Sequence, residues 1–249
     1  MTVPAAPPAP RGILVVTGTG TGVGKTVVTA AVAALALARG DRVAVVKPAQ
    51  TGAGTGTGAG ADISADVPDV DTVRRLAGVT DTHELARFPD PLSPEAAARA
   101  AGLPPPDMDA AADYVTKLAE SRDLVLVEGA GGLLVRYDAA GSTIADLAVA
   151  LRAPVLVVAA AGLGTLNHTA LTCEALAARH LRLAGVVVGS WPAAPGLAEL
   201  TNLTDLASVA GEPLAGLLPE GSGLLGRAEF LAVALAGLGP RLGGQAKPR

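Results

Sequence analysis

Aromatic side chains are nearly missing from this 249-residue chain; Phe, Tyr and Trp together make up 2%. A core built on large rings is excluded, and the 50% hydrophobic content must pack mainly through Ala, Val and Leu. Cysteine occurs once, as Cys173, which rules out an internal disulfide and a cysteine-only metal cluster. Its setting, LTCEAL, reads as a buried thiol on a helix rather than a nucleophile. Histidine is also scarce, with no metal-ligand spacing between any two, and His168 reads as a helix-start residue rather than a base. Positive charge is not in excess: the net charge is −4, so no global field favours nucleic acid and phosphate affinity must be local. No run reaches the roughly 18 uncharged apolar residues of a membrane helix; the best, Ala153 to Leu166, reads as a strand and its loop. The opening TVPAAPPAP lacks the charged start and apolar core of a signal peptide. These absences predict a soluble, cytoplasmic protein with neither nucleic acid nor membrane among its partners.

What is present centres on residues 13–28, ILVVTGTGTGVGKTVV. A β-branched run, Ile13 to Thr17, enters a glycine-rich turn that closes on Gly24, Lys25 and Thr26, and an alanine-rich helical pattern follows from Val27. The order strand, phosphate loop, helix is the context such a loop requires. Glycines let backbone N–H groups of the loop, Gly22 to Val27, converge on phosphate oxygens. The helix N-terminus adds partial positive charge. Lys25 reaches the outer phosphates, and the Thr26 hydroxyl suits Mg²⁺. The spacing is a variant: position 19 is Thr19, and the first glycine, Gly18, stands one place early. No G-x-G-x-x-G register fits residues 18–24, which excludes a dinucleotide fingerprint.

The rest of the chain alternates strand and helix patterns. Helices are expected at about Lys25–Arg39, Asp69–Leu76, Pro94–Ala101, Asp107–Ser121, Asn167–Ala178 and residues 224–238. Further strands are expected at Arg42–Lys47, Leu124–Glu128, Pro154–Ala159, Ala184–Gly189 and Leu214–Leu218. This alternation predicts one α/β domain at 12–240, with a mostly parallel sheet covered by helices on both faces. Residues 1–11 read as a disordered proline-rich tail and 241–249 as a frayed end. The stretch GAGTGTGAG, 52–60, reads as a flexible insert, since no lysine or helix follows it in place.

Parallel sheets gather their chemistry at the carboxyl ends of strands. Four such ends are chemically pointed: the loop at 18–26, Lys47, Glu128 and the segment 160–168. Glu128 closes LVLVE and precedes Gly129, Ala130 and Gly131, whose small size permits close approach of a ligand. Its carboxylate suits Mg²⁺. Lys47 closes VAVVK ahead of Pro48, and Thr51 offers a hydroxyl nearby. One of Asp62, Asp66, Asp69 and Asp71 is a candidate third protein ligand, the others being solvated charges.

The blocks TGTGTGVGKT, KPAQTG, VEGAGG and GLGTLNHT, with AGVVVGSWP and the late LLPEG, closely resemble the dethiobiotin synthetase family. The likeness runs from about Ile13 to the closing helix. It implies a P-loop NTPase fold and ATP-dependent conversion of 7,8-diaminononanoate and CO₂ to dethiobiotin, through a carbamate and a carbamic-phosphoric anhydride. It also implies Thr26, Asp69 and Glu128 as Mg²⁺ ligands, Lys25 and Lys47 as catalytic cations, and Thr21 beside the reacting diamine. Thr51 would hydrogen-bond the carbamate. Gly22 stands where some members have glutamate. The family is a homodimer with its substrate cleft at the subunit boundary, so Leu163, Gly164, Leu166 and Asn167 would reach across to the substrate's carboxylate. Many members place an asparagine after the AGVVV-type strand to read adenine; here Gly189 and Ser190 follow. Losing such base contacts costs on the order of 1–3 kcal/mol of discrimination, so CTP is expected to be tolerated beside ATP. The backbone around Pro219, Glu220 and Gly221 would flank the base.

A partition or septum-placement ATPase is the rival reading within the P-loop class. Such proteins carry an extra lysine early in the loop, where this chain has Gly18, Thr19 and Gly20. An amidotransferase synthetase would need a glutaminase domain with a nucleophilic cysteine.

Overall fold

The computed structural model describes residues 9–52 and 67–247. Asp62, Asp66, residues 1–8 of the tail and nearly all of the glycine-rich insert lie outside the described residues.

Seven strands form one sheet: β1 (Gly12–Gly18), β2 (Val43–Lys47), β3 (Thr82–Glu84), β4 (Leu124–Gly132), β5 (Val155–Ala159), β6 (Leu183–Trp191) and β7 (Gly216–Pro219). Their spatial order is β3-β2-β4-β1-β5-β6-β7, and every pairing is parallel. The described residues hold eight α-helices: α1 (Lys25–Ala38), α2 (Asp69–Ala77), α3 (Pro94–Ala101), α4 (Met108–Ala119), α5 (Ile144–Ala150), α6 (Thr165–Ala177) and α7 (Leu197–Ala210) between strands, and α8 (Arg227–Gly237) after the last one.

The period-2 alternation of strand side chains splits the core into two layers. Leu14, Val16, Leu124, Leu126, Leu156 and Val158 face α1, α2 and α8. Val15, Val125, Val127, Val155 and Val157 face the layer of α3, α4, α5, α6 and α7. Small residues set the thickness of the first layer: Val28 to Ala36 of α1 are all buried, so this helix lies sunk against the sheet. Rings are used sparingly, with Tyr137, Phe88 and Phe230 the largest fully buried side chains.

Both β4 and β6 run past the positions where the sequence predicts their ends. Glu128 is an interior residue of β4 paired with Val16, and the GAGG segment continues the strand to Gly132. The extension is irregular: Gly131 is left-handed with φ 66°, and the register with β1 shifts between Val16 and Gly18. Three elements escape sequence reading: β3, α5 and α7. Strand β3 is the polar tripeptide THE, held by pairing with β2 and by side-chain bonds such as that between Tyr114 Oη and His83 Nδ1. Helix α5 spans seven residues, fixed by a capping box between Thr143 and Asp146. Helix α7 buries only Asn202 and Leu206, so its apolar periodicity is weak.

The ends also differ from expectation. Arg11 is ion-paired with Asp41, and β1 begins at Gly12. Residues 241–247 are not frayed as expected. Leu242 is buried, and the Gln245 and Ala246 N–H groups donate to Leu235 and Leu238 of the α8 end.

Candidate active site

Strand β1 lies between β4 and β5; the crossover out of β1 runs one way, to β2, and the crossover out of β4 runs the other way, to β5. The crevice beyond its carboxyl end is the topological switch point, where parallel sheets take ligands. An open cleft of about 630 Å³ lies there.

The phosphate loop forms its floor. Gly24 caps α1 with φ 94°, a left-handed conformation that favours glycine. A second constraint acts on the same residue: a Cβ on Gly24 would lie 2.6 Å from the carbonyl oxygen of Gly189. The contact is reciprocal, since a Cβ on Gly189 would lie 2.1 Å from the Val23 carbonyl and 2.6 Å from Val158 Cγ1. The loop and the end of β6 therefore touch backbone to backbone. Lys25 Nζ donates to the Gly20 carbonyl at 2.9 Å. Burial and the neighbouring Lys47 lower its pKa to about 8, against the opposing pull of Glu128 and Asp69.

Three oxygens converge at the first turn of α1. Thr26 Oγ1 lies 3.0 Å from Asp69 Oδ1 and 2.9 Å from Glu128 Oε1. A hydroxyl has one proton, so it can donate to only one of these carboxylates at a time; a cation among the three would satisfy both. Among the described residues no group of three or more His, Cys, Asp or Glu side chains is placed to hold a metal. A divalent ion here would need oxygens from a bound ligand to complete its shell.

Lys47 at the end of β2 provides the compensating charge. Its Nζ lies 2.6 Å from Asp69 Oδ2, 3.0 Å from Glu128 Oε1 and 3.1 Å from the Gly129 carbonyl. Both Lys47 (3% exposed) and Glu128 (1% exposed) are buried. Burial favours the neutral amine, but the two carboxylates outweigh it and hold the Lys47 pKa above its usual value. Asp69 is pushed the other way. Burial raises its pKa, yet Lys47, the Thr26 hydrogen bond and Lys25 bring it below the usual carboxylate range.

Thr21, Gly22, Val27 and Thr51 line the cleft beside these charges, as do Ala130 and Gly131 on the β4 side. Sequence reasoning missed several neighbours. Gln50, Val135 and the segment Pro91–Pro94 also line the cleft; Gln50 lies inside the KPAQTG block without a role assigned to it, and the others carry no motif signal. Tyr137 is fully buried, and its Oη accepts the Ala130 N–H at 2.7 Å, which fixes the backbone behind Glu128. Asp71, a competing metal candidate, instead pairs with Arg74 on the surface of α2.

The remaining predicted residues stand outside the cleft lining. Gly189 is buried against the loop and Ser190 is exposed. Pro219, Glu220 and Gly221 form an exposed turn, tied to β6 by a 2.7 Å bond from the Glu220 N–H to the Trp191 carbonyl. This turn leads to Gly223, whose Cβ would lie 3.3 Å from Val27 Cγ2 at the cleft edge. Helix α6 begins at Thr165, two residues before the expected start at Asn167, so Leu166 as well as Asn167 lies in its first turn. Gly164 caps it, and Leu163 is 94% exposed.

Comparison with known proteins shows the chain's family. A family described as an AAA domain matches residues 12–226. The ATP-dependent dethiobiotin synthetase BioD of Parafrankia sp. (strain EAN1pec) is 61% identical over 232 residues, covering 93% of this chain and 94% of that protein. The chain belongs to the ATP-dependent dethiobiotin synthetase family. The family's protein from Frankia casuarinae is 69% identical over 176 residues, 71% of this chain and 74% of that one. Solved structures outside the synthetases share only the fold. A septum site-determining protein MinD from Pyrococcus horikoshii, complexed with Mg-ADP, matches with TM-score 0.55 at 18% identity, covering 94% of this chain and 91% of its own. A ParA family ATPase from Chlorobium tepidum gives TM-score 0.51 at 13% identity, covering 91% and 89%. The rival partition-ATPase reading thus captures the architecture, while the family is that of the synthetases. No helix among the described residues is long and apolar enough to cross a membrane.

Proposed function

We propose that this chain closes the ureido ring of dethiobiotin, using a nucleoside triphosphate, CO₂ and 7,8-diaminononanoate. The observation that carries the reading is the buried cluster of Lys47, Glu128, Asp69 and Thr26 at the mouth of the phosphate loop. Phosphoryl transfer to a carbamate demands cations on both sides of the transferred group, and Lys25 and Lys47 supply them. Lys25 follows the phosphates from the loop side. Lys47 faces the carbamate and its phosphorylated form from the β2 side, with the Thr51 hydroxyl as a second donor and Thr21 beside the diamine. One amine of the substrate loses a proton as it adds to CO₂. The carbamate oxygen then takes the γ-phosphoryl group, releasing the nucleoside diphosphate, and the second amine attacks the carbamoyl carbon, losing a proton and displacing phosphate to close the ring.

Thr26, Asp69 and Glu128 would hold Mg²⁺ together with phosphate oxygens. Bound there, Mg²⁺ supplies charge neutralisation on the triphosphate. The base would lie over Val27, between Gly189–Ser190 and the Pro219–Gly221 turn. No side chain fits at Gly189, which supports relaxed base selection, with CTP accepted beside ATP. The functional unit is a homodimer, in which Leu163, Gly164, Leu166 and Asn167 of one subunit meet the partner's cleft and the first turn of α6 receives the substrate carboxylate.

Mass spectrometry of the product formed from diamine, bicarbonate, Mg²⁺ and either ATP or CTP tests the proposal. Dethiobiotin with both nucleotides is the expected result. Phosphate release independent of the diamine would refute the reaction, and strict ATP preference would refute the relaxed base site.

A further inference from the structure

Gln50 is a buried polar side chain in the cleft wall that the reaction as described does not use. Its backbone is clamped on both sides: its N–H donates to the Ala86 carbonyl at 2.9 Å, and its carbonyl accepts the Phe88 N–H at 2.9 Å. From this fixed base the side-chain amide reaches two segments at once. Oε1 accepts the backbone N–H of Asp69 at 3.1 Å, and Nε2 donates to the Thr51 carbonyl at 3.1 Å. The orientation of the amide is not arbitrary, because a backbone N–H only donates and a carbonyl only accepts.

The bond to Asp69 matters because of where Asp69 sits. It is the first residue of α2, and the capping residue before it is Pro68, which offers no side-chain acceptor. The first N–H groups of a helix lack internal partners and need one from elsewhere. Gln50 provides it from a different element. The same Asp69 holds its Oδ1 against Thr26 and its Oδ2 against Lys47. Its carboxylate is therefore aimed by three contacts: two on the side chain and one, from Gln50, on the backbone that carries it.

We infer that Gln50 is a positioning residue for the metal site: it caps α2 from outside and so sets the Asp69 carboxylate opposite Thr26 and Glu128. The same amide ties the backbone at the start of α2 to the Thr51 carbonyl. The inference rests on the proposed role of Asp69 as a Mg²⁺ ligand.

The test is a Mg²⁺ titration of the full chain with a fluorescent ATP analogue, run alongside thermal melts and turnover. Loss of a group that orients a metal ligand typically costs ~10–100-fold in metal affinity. Gln50→Leu, which keeps bulk and loses the acceptor, should raise the half-saturating Mg²⁺ concentration by at least ~10-fold. Analogue binding without Mg²⁺ should stay unchanged, and saturating Mg²⁺ should restore turnover. Gln50→Glu keeps an acceptor for the Asp69 N–H and should recover most of the Mg²⁺ affinity. An unchanged Mg²⁺ requirement in a folded Gln50→Leu protein overturns the inference, as does an equal loss of Mg²⁺-free binding. Asp69→Asn separates the two readings. If it shifts the Mg²⁺ requirement and Gln50→Leu does not, only the role of Gln50 falls. If Asp69→Asn leaves the requirement unchanged, the metal assignment falls and this inference with it.

Discussion

The two halves of the sheet's carboxyl edge are built on opposite principles. On the side of β1, β2 and β4, charged groups are buried and mutually satisfied, with Lys47 and Glu128 nearly sealed from solvent. On the side of β5, β6 and β7, the contact with the phosphate loop runs through backbone and several large apolar side chains are left exposed. Leu163 is 94% exposed, Leu197 84% and Leu224 87%. Asn202 steadies the 160–164 loop by donating to the Ala161 and Gly162 carbonyls, yet nothing in the described chain covers Leu163. The first half assembles its chemistry inside one chain. The second offers a surface, which is where the proposed partner subunit and the nucleobase would sit. Removing a residue should therefore hurt the first half through unpaired charge and the second through lost complementarity.

The largest effect is expected at Lys47. Lys47→Ala should lower kcat by at least ~10²-fold, by analogy with loss of a transition-state donor, measured as diamine-dependent phosphate release. It also leaves Asp69 and Glu128 without their ammonium, so the melting temperature should fall, consistent with roughly 3–5 kcal/mol for breaking a buried pair. Near-normal kcat would remove Lys47 from the mechanism and break the contrast between the halves.

Next comes the seam where the halves meet. Gly189→Asn forces a side chain into the Val23 carbonyl, an overpacking cost of about 1–3 kcal/mol that falls on the phosphate loop. ATP and CTP affinity should drop together, by about 10–100-fold, in a direct binding competition. Tighter ATP with weaker CTP would instead make this position a base reader.

A smaller loss of stability, but a specific one, is expected on the open side. Leu163→Asp should leave the melting temperature of the single chain nearly unchanged, as surface substitutions usually stay within about 0.5 kcal/mol. Sedimentation should then show loss of the dimer, with nucleotide binding kept and turnover lost. An unchanged dimer would move the subunit boundary elsewhere.

The smallest effect lies far from the cleft. Arg42 grips Asp123 through its Nε, its Nη2 and its backbone N–H. The side-chain hydrogen bond from Arg42 is the main cause that lowers the Asp123 pKa from 3.8 to about 2. A depressed carboxylate pKa contributes stability above the unfolded value and loses it as pH falls through the folded one. Asp123→Asn should therefore lower the melting temperature slightly at pH 7, by the small amount an exposed pair contributes, and the gap to the parent should close as pH falls from 3.8 to about 2.

Residues whose role depends on strand position were readable in the chain. Lys47 and Glu128 each follow an apolar run, and a parallel sheet brings such ends together. Asp69 was one acidic residue among four by pattern alone; family likeness singled it out, and its contacts with Thr26 and Lys47 distinguish it from Asp71. Tyr137 gave no signal, and Gln50, although inside the KPAQTG block, gave none for its role, because neither spacing nor composition marks a residue that acts by holding another's backbone. The same limit hid β3 and α7, whose stability comes from neighbours rather than from their own periodicity.

Local chemistry along the chain therefore decided the alternating strands and helices, the phosphate loop and the charged residues at strand ends, since each follows from spacing and propensity over a few residues. Which carboxylate faces Thr26, why Gly189 must lack a side chain, and how Gln50 reaches α2 were decided only in three dimensions. Those contacts join segments distant in sequence, and short-range pattern carries no record of which distant groups will meet.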